Sequence, residues 1–529
     1  MTQVSVKYNP YRLETELKVN GQKVPKDSLL YKVTKGKRLQ EWIGEFPKML
    51  RDELNTVALS LEYCGMALDW DDFEDAFEHA EKAGIVKVSG MRYIAGKSDD
   101  DINEKIVKVF QDLQEGPISD FRDPKLVKCF EEINNTVFSV HVIATMSSGK
   151  STLINALLGK NLMPSQNEAC TATITEILDS DAPAFSATVY GSKAKEEDKE
   201  PVSSNFEVLE EVSELTHEIM ERLNQNPHVQ LISADGNIPF LDAKDTALKL
   251  VDTPGPNNAQ NQAHKNTTYR AINNDANSLI LYVLNATQLS TNDDARLLHY
   301  VADQIRKGGK QMRDRFLFVI NKMDQFNPET EDIESAILAA KHYLAAYGIE
   351  EPQLFPCSAL TALNLETSLK GIDIEQLTRA EGKTLPISAR ETLTMVDKLN
   401  GYDSMHLEKY TTLSPSAQQE LNYRLSQAVE KGDANEQALI HSGICSIQSA
   451  ITAYVKKYAK TKKIKDLVES FQEVLESSQI LVKAKTQVAE DAASAKACAD
   501  CRGEAEDRGR ERGPGVQEEN RGPRSGTRN

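Results

Sequence analysis

The chain has 529 residues, 40% hydrophobic and 27% charged, with a formal net charge of −18, a balance that implies roughly two or three folded domains with a sizeable buried core. The acidic excess disfavours a nucleic-acid partner, because affinity for a phosphate polymer depends on Lys and Arg displacing counterions. Seven dispersed cysteines form no disulfide framework; with no signal-like N-terminus and no apolar run long enough to cross a bilayer, the chain reads as cytoplasmic or peripheral at a membrane.

In chain order, residues 1–98 carry β-favouring stretches at 4–8, 57–63 and 86–93, interleaved with helical patterns around Trp42 and Trp70, which predicts a small α+β module. Residues 99–136 are helical, with Ile102, Ile106, Val109 and Leu113 on one stripe, and lead into a buried-type strand at 137–144. Apolar runs follow at 187–190, 248–251, 279–284, 316–320 and 354–356, most separated by helical or loop-length polar stretches. That alternation predicts an α/β domain over 137–365 built on a doubly wound, mostly parallel sheet.

Strand signals fade over 366–498 and helical spacing returns, first at Ile444, Ile447, Ile451, Tyr454, Val455 and Tyr458, then at Ile464, Leu467, Val468, Phe471, Val474 and Leu475. The final stretch, 499–529, is Arg- and Gly-rich and nearly devoid of aliphatic side chains, a composition that cannot fold alone. It reads either as a disordered appendage or as the product of a shifted reading frame. Cys498 and Cys501 have C-x-x-C spacing, but no second pair or matching histidines accompany them, and they read as bystanders.

The strand ending at Ala144 runs into Thr145-Met146-Ser147-Ser148-Gly149-Lys150-Ser151-Thr152 and a helix through Leu158. A glycine there lets the backbone curl its N–H groups towards a phosphate, the helix N-terminus adds a favourable dipole, Lys150 supplies a point charge to β/γ oxygens, and Ser151 is placed to ligate Mg²⁺. Ala144 stands where this phosphate-loop pattern usually has its first glycine. Asp252-Thr253-Pro254-Gly255 follows an apolar strand; Asp252 is expected to hold Mg²⁺ through water and Gly255 to offer its N–H to a γ-phosphate. In the loop between these motifs, Thr171 is chosen over Thr173 to close over the metal and orient the attacking water.

Asn321-Lys322-Met323-Asp324 gives a base reader. A carboxylate accepts both N1–H and the exocyclic amine of guanine, whereas adenine has no donor at N1, so two charge-assisted hydrogen bonds favour GTP over ATP by roughly two orders of magnitude or more. Asn321 and Lys322 are expected to brace that loop, and backbone groups at Ser358 and Ala359 to meet the guanine oxygen. All of these motifs stand at the C-terminal ends of predicted strands, where α/β sheets bind ligands.

The run from Ala144 to Ala172 also contains Leu162-Met163-Pro164 after the first helix and Cys170-Thr171-Ala172 in the switch, and Asp252 to Pro256 and Ser442-Gly443-Ile444 follow. On these residues the chain resembles the bacterial dynamin-like large GTPases, nearest to their LeoA type, which is linked to membrane vesicles and toxin secretion. The resemblance implies that Lys150, Ser151, Thr171, Asp252, Gly255, Asn321 and Asp324 take the family's nucleotide and Mg²⁺ roles, with Ser147 near the leaving phosphates and catalysis falling to Ser147, Lys150 and Thr171. Met146 stands where the family commonly has glutamine, and Pro256 cannot orient water.

Hydrolysis by a lone chain is therefore expected to be slow and to rise when GTPase domains dimerise, in a homodimer or with a second dynamin-like chain. The family further implies a helical neck and trunk from the segments at 99–136 and 366–498. A basic group, Lys456, Lys457, Lys460, Lys462, Lys463 and Lys465, reads first as a solvated helix face and second as a contact for acidic lipid. The alternatives to a membrane-remodelling GTPase are a regulatory switch and a nucleotide-bound scaffold with little turnover.

Overall fold

The computed structural model describes residues 2–96, 102–116, 119–135, 137–144, 147–164, 173–191, 207–240, 247–253, 278–289, 295–368 and 387–477. The expectations for the 499–529 tail and for Cys498 and Cys501 lie outside them. The chain divides into two compact units, one of Met1–Val107 with Glu131–Asp466, the other of Lys108–Phe130 with Leu467–Asn529. In the second unit the Phe110 and Phe130 rings stack with centroids 3.9 Å apart, and the Arg122 guanidinium donates to the Gln114 and Gly116 carbonyls.

The first unit begins with a five-stranded sheet of β1 (Thr2–Asn9), β2 (Glu14–Val19), β3 (Gln22–Lys23), β4 (Ala58–Gly65) and β5 (Lys87–Ala95), in the order β3-β2-β1-β4-β5. Strict alternation along β4 turns Leu59, Leu61 and Tyr63 inward onto Trp42, Phe46, Phe73 and Phe77. The predicted α+β module is present, with β2 and β3 as additional strands.

The larger sheet comprises β6 (Phe138–Ala144), β7 (Ile174–Asp179), β8 (Ser186–Gly191), β9 (Glu207–Val212), β10 (Val229–Gly236), β11 (Leu248–Asp252), β12 (Ser278–Asn285), β13 (Phe316–Asn321) and β14 (Gln353–Cys357). Its order is β14-β13-β12-β6-β11-β7-β10-β8-β9. β14, β13, β12, β6 and β11 are mutually parallel. β12 and β13 are buried at every position, which is why they read as unbroken apolar runs. β7 pairs antiparallel with β11, and β8 and β9 extend the edge antiparallel, so the sheet is mixed but mostly parallel. β7, β9 and β10 escaped the sequence reading because one of their faces is polar or they lie near the edge; β9 is Glu-Val-Leu-Glu-Glu-Val.

The helices beyond the sheet are not a free-standing region. Ile440, Ile444, Ile447, Ile451 and Tyr454 join one core with Phe138, Leu153, Leu157 and Phe355. The Ile444–Tyr454 helix passes into a π-helical turn, Val455–Lys460, before Thr461–Ser477 continues. That widened turn presents Lys457 and Tyr458 to Asp314, at 3.2 and 2.7 Å, while Lys457 also pairs with Asp72 of the N-terminal module. Lys310 lies 3.3 Å from Asp72. The module further caps the Pro415–Lys431 helix, Asp71 accepting from the Ser416 hydroxyl and N–H at 2.6 and 3.3 Å.

Within the lysine group, Lys457 sits in the ion cluster and Lys460 and Lys463 are buried, so these three form no solvated face, whereas Lys456 is exposed and Lys462 and Lys465 are half-buried. Among the described residues no single helix is long and apolar enough to cross a membrane.

Candidate nucleotide-binding site

β6, β11, β13 and β14 run parallel or through parallel neighbours, so Ala144, Asp252, Asn321 and Cys357 end their strands on the same side of the sheet. In the first loop, Ser147 and Gly149 are left-handed, with φ of +60° and +83°, and the Lys150–Leu158 helix starts immediately after. Gly149 is required twice over. Besides its φ, a Cβ there would sit 2.5 Å from the Asn321 amide nitrogen.

That amide reaches in because Asn321 ends β13 directly opposite. Its Nδ2 donates to the Ser148 carbonyl at 2.9 Å, and its Oδ1 accepts from the Ala359 N–H at 3.2 Å. One buried side chain thereby ties the phosphate loop, the N-K-x-D turn and the Ser358-Ala359 turn together. Ser151 and Thr152 lie half-buried in the first helical turn. Thr145 and Met146 lie outside the described residues.

Lys150 and Asp252 are brought together, the ammonium pairing with the carboxylate and donating to the Thr253 carbonyl at 2.7 Å. Thr253 is held by its hydroxyl on the Val142 carbonyl at 2.7 Å, which fixes the direction in which the chain leaves β11. Thr171 and Gly255 lie outside the described residues. The rival Thr173 is committed elsewhere, donating to the Val229 carbonyl at 3.1 Å.

On the base side, Lys322 is left-handed at φ +70° and turns the chain into the short 3-10 helix Met323–Gln325 that carries Asp324. Burial raises the Asp324 carboxyl above the ordinary aspartate range, opposed by its own backbone N–H and by Lys398 and Lys322. The backbone donors expected to meet the guanine oxygen are already engaged: the Ser358 N–H donates to Ser442 O at 2.8 Å and the Ala359 N–H to Asn321. The Ser358 hydroxyl is instead a fully buried group with no hydrogen-bond partner among the described residues.

Sequence reasoning missed several supports. Asn155 accepts from the Leu162 and Met163 N–H groups at 3.0 and 2.7 Å, anchoring the turn after the phosphate-loop helix; an Asn within the apolar run from Leu153 to Leu158 was its only signal. Gly443, at φ +81°, lies where a Cβ would meet the Pro356 carbonyl at 2.1 Å. Lys398 grips the base loop from the Ile387–Gly401 helix. Lys398 has no local sequence signature, because it acts across the fold; Gly443 stands in the Ser442-Gly443-Ile444 run, but its approach to Pro356 was not legible there.

The residues fit a Mg²⁺-nucleotide: Ser151 and Asp252 are the hard oxygen donors that Mg²⁺ takes, Gly149 clears the cradle, and the Ser358 hydroxyl is an orphan donor beside the base loop. His406, Glu408 and His441 are a different case. The two imidazoles are parallel within 2° at 3.6 Å, with Glu408 3.0 Å from His441 Nδ1. An ion in the plane of one ring lies outside the plane of the other; in this arrangement Glu408 and His441 are hydrogen-bonded and His406 stacks on His441.

A profile of the dynamin family matches residues 140–323. By this match the stretch is similar to a dynamin-family domain. An uncharacterised Caldicellulosiruptor protein from the xynA 3′ region is 28% identical over 234 residues, covering 44% of this chain and 52% of its own length. The bacterial dynamin-like protein of Nostoc punctiforme is 26% identical over 212 residues, 39% of this chain and 28% of that one. The chain thus spans about half or less of the curated relatives it matches. A solved structure of an oligomerised bacterial dynamin pair is 19% identical, covers 69% of this chain and 56% of that one, and has a TM-score of 0.39. The dynamin-family match contains the phosphate-loop and Asp252 motifs and ends within the N-K-x-D, which leaves Asp324 and the Ser358 turn to be argued from geometry alone.

Proposed function

We propose that the protein binds GTP with Mg²⁺ and hydrolyses it, slowly as a lone chain and faster when two dynamin-family domains meet. The observation that carries this reading is the Asn321 side chain, which holds the phosphate loop and both base-side turns in one site. In this reading the N–H groups around Ser148 to Lys150 and the Lys150 ammonium bind the β/γ oxygens, with Ser147 beside the leaving phosphates. Bound Mg²⁺, held by Ser151, Thr171 and Asp252, neutralises charge on those oxygens. Asp252 and Lys150 part as they engage their separate targets, and Gly255 senses the γ-phosphate. Asp324 reads the guanine edge, Lys322 flanks the base and the Ser358 hydroxyl donates to it.

The described site offers no side-chain base for water, so the stimulating group comes from a partner domain, in a homodimer or from a second dynamin-like chain. The vesicle-linked or membrane-remodelling role belongs to the same proposal, and liposome co-sedimentation with and without GTP separates it from a purely regulatory switch. The direct test is GTP and ATP hydrolysis over a protein concentration series. Specific activity is expected to rise with concentration and to prefer GTP, and to vanish in Lys150→Ala. Flat activity removes the dimer, and equal use of ATP, or unchanged nucleotide affinity in Asp324→Ala, removes the reading.

A further inference from the structure

The Met323–Gln325 turn is too short to satisfy its own C-terminal carbonyls, and the groups left over face a helix outside every nucleotide motif. Lys398, in the last turns of Ile387–Gly401, donates to the Asp324 carbonyl at 2.8 Å and to the Phe326 carbonyl at 2.5 Å. An ammonium at the C-terminal end of a helical turn is favourably placed against its dipole. Here it also fixes the peptide plane from which the Asp324 side chain departs. Lys398 itself is half-buried, and its helix is anchored by Val396 and Leu399, which are buried in the core with Ile320, Met323 and Ile333.

Resting on the proposed GTP site, we infer that Lys398 is a positioning residue for base specificity: by pinning the Asp324 and Phe326 carbonyls it aims the Asp324 carboxylate at N1–H and the exocyclic amine of guanine. A carboxylate free to swing keeps one hydrogen bond to the base and loses the second, so the clamp acts on discrimination between purines and leaves phosphate binding alone. Met323, whose side chain is buried in the same core, holds the turn in place but leaves the direction of its carbonyls undetermined. Lys322 approaches from the Gly149 side, while both carbonyls accept from Lys398.

The test measures displacement of a fluorescent GDP by GDP, IDP and ADP from the full chain. IDP lacks the exocyclic amine, so the GDP-over-IDP ratio reads the second hydrogen bond directly. Lys398→Met is expected to weaken GDP about ten-fold and to reduce that ratio several-fold, the scale of one charge-assisted bond, with the melting temperature and saturated GTP turnover little changed. Lys398→Arg, whose guanidinium spans two carbonyls, restores the ratio, and Lys398→Gln, which reaches one, falls between; the Gln variant decides the matter if the Met variant is unstable. A wild-type ratio in both Lys398→Met and Lys398→Gln overturns the inference while leaving the GTP site standing. A wild-type protein with no preference for GDP over ADP overturns both.

Discussion

Gly149 shows how one position answers to two distant demands. Its left-handed φ would strain any L-residue by about 1–2 kcal/mol, and the Asn321 amide nitrogen stands 2.5 Å from where a Cβ would go. Gly149→Ala is therefore expected to push Asn321 off the Ser148 carbonyl and loosen the base side together with the phosphate side. GDP and GTP affinity should fall together by about 10- to 100-fold, the scale of two lost hydrogen bonds plus strain, while the far-ultraviolet spectrum stays native; unchanged affinity for either nucleotide refutes the coupling. The glycine itself was legible in the sequence because its motif is contiguous. The reason for it was not, because Asn321 lies 173 residues from Ser148 along the chain.

At the level of elements, the π-helical turn Val455–Lys460 and the Ala67–Lys82 helix meet in a charge cluster made of Lys457, Lys310, Asp72 and Asp314. Burial works against the Lys457 ammonium, but Asp72 and Asp314 outweigh it and raise its pKa above the ordinary lysine range. Asp69 stands at the rim of this cluster, accepting from Gln40 at 2.9 Å. Burial pushes its carboxyl up to about 6, with Lys457 and Gln40 pulling the other way. Since the folded protein binds this proton more tightly than the unfolded chain, Asp69 contributes its full stability below about pH 4 and loses it as pH rises through about 6. Asp69→Asn keeps the acceptor for Gln40 and removes the titration. The melting temperature of the variant relative to wild type is expected to climb between pH 4.5 and 7.5, by linkage, as roughly the mirror of that loss; a constant difference across that range refutes it. Nothing in the sequence announced the cluster. Its acids and lysines are ordinary surface residues until the fold buries them.

Over the whole molecule, what was legible and what was not divide by range. β12 and β13 announced themselves as unbroken apolar runs because they are buried on both faces, and the phosphate-loop, Asp252 and Asn321 motifs were legible because each lies within a few residues. Lys398 was hidden, and so was the packing role of Ser442 and Gly443, since their partners lie 72 or more residues away. The stripe at Ile444, Ile447, Ile451 and Tyr454 was read as helical spacing, and what it buries against is the sheet domain, through Phe138, Leu153, Leu157 and Phe355. A fragment cut at 137–365, where the strand pattern ends, would strip that covering and lay those side chains open to water. It is expected to aggregate on gel filtration and to bind guanine nucleotides poorly even in dilute solution. Any attempt to transplant the nucleotide domain into another protein must therefore carry the 387–458 helices with it, as though they were part of the same cut stone.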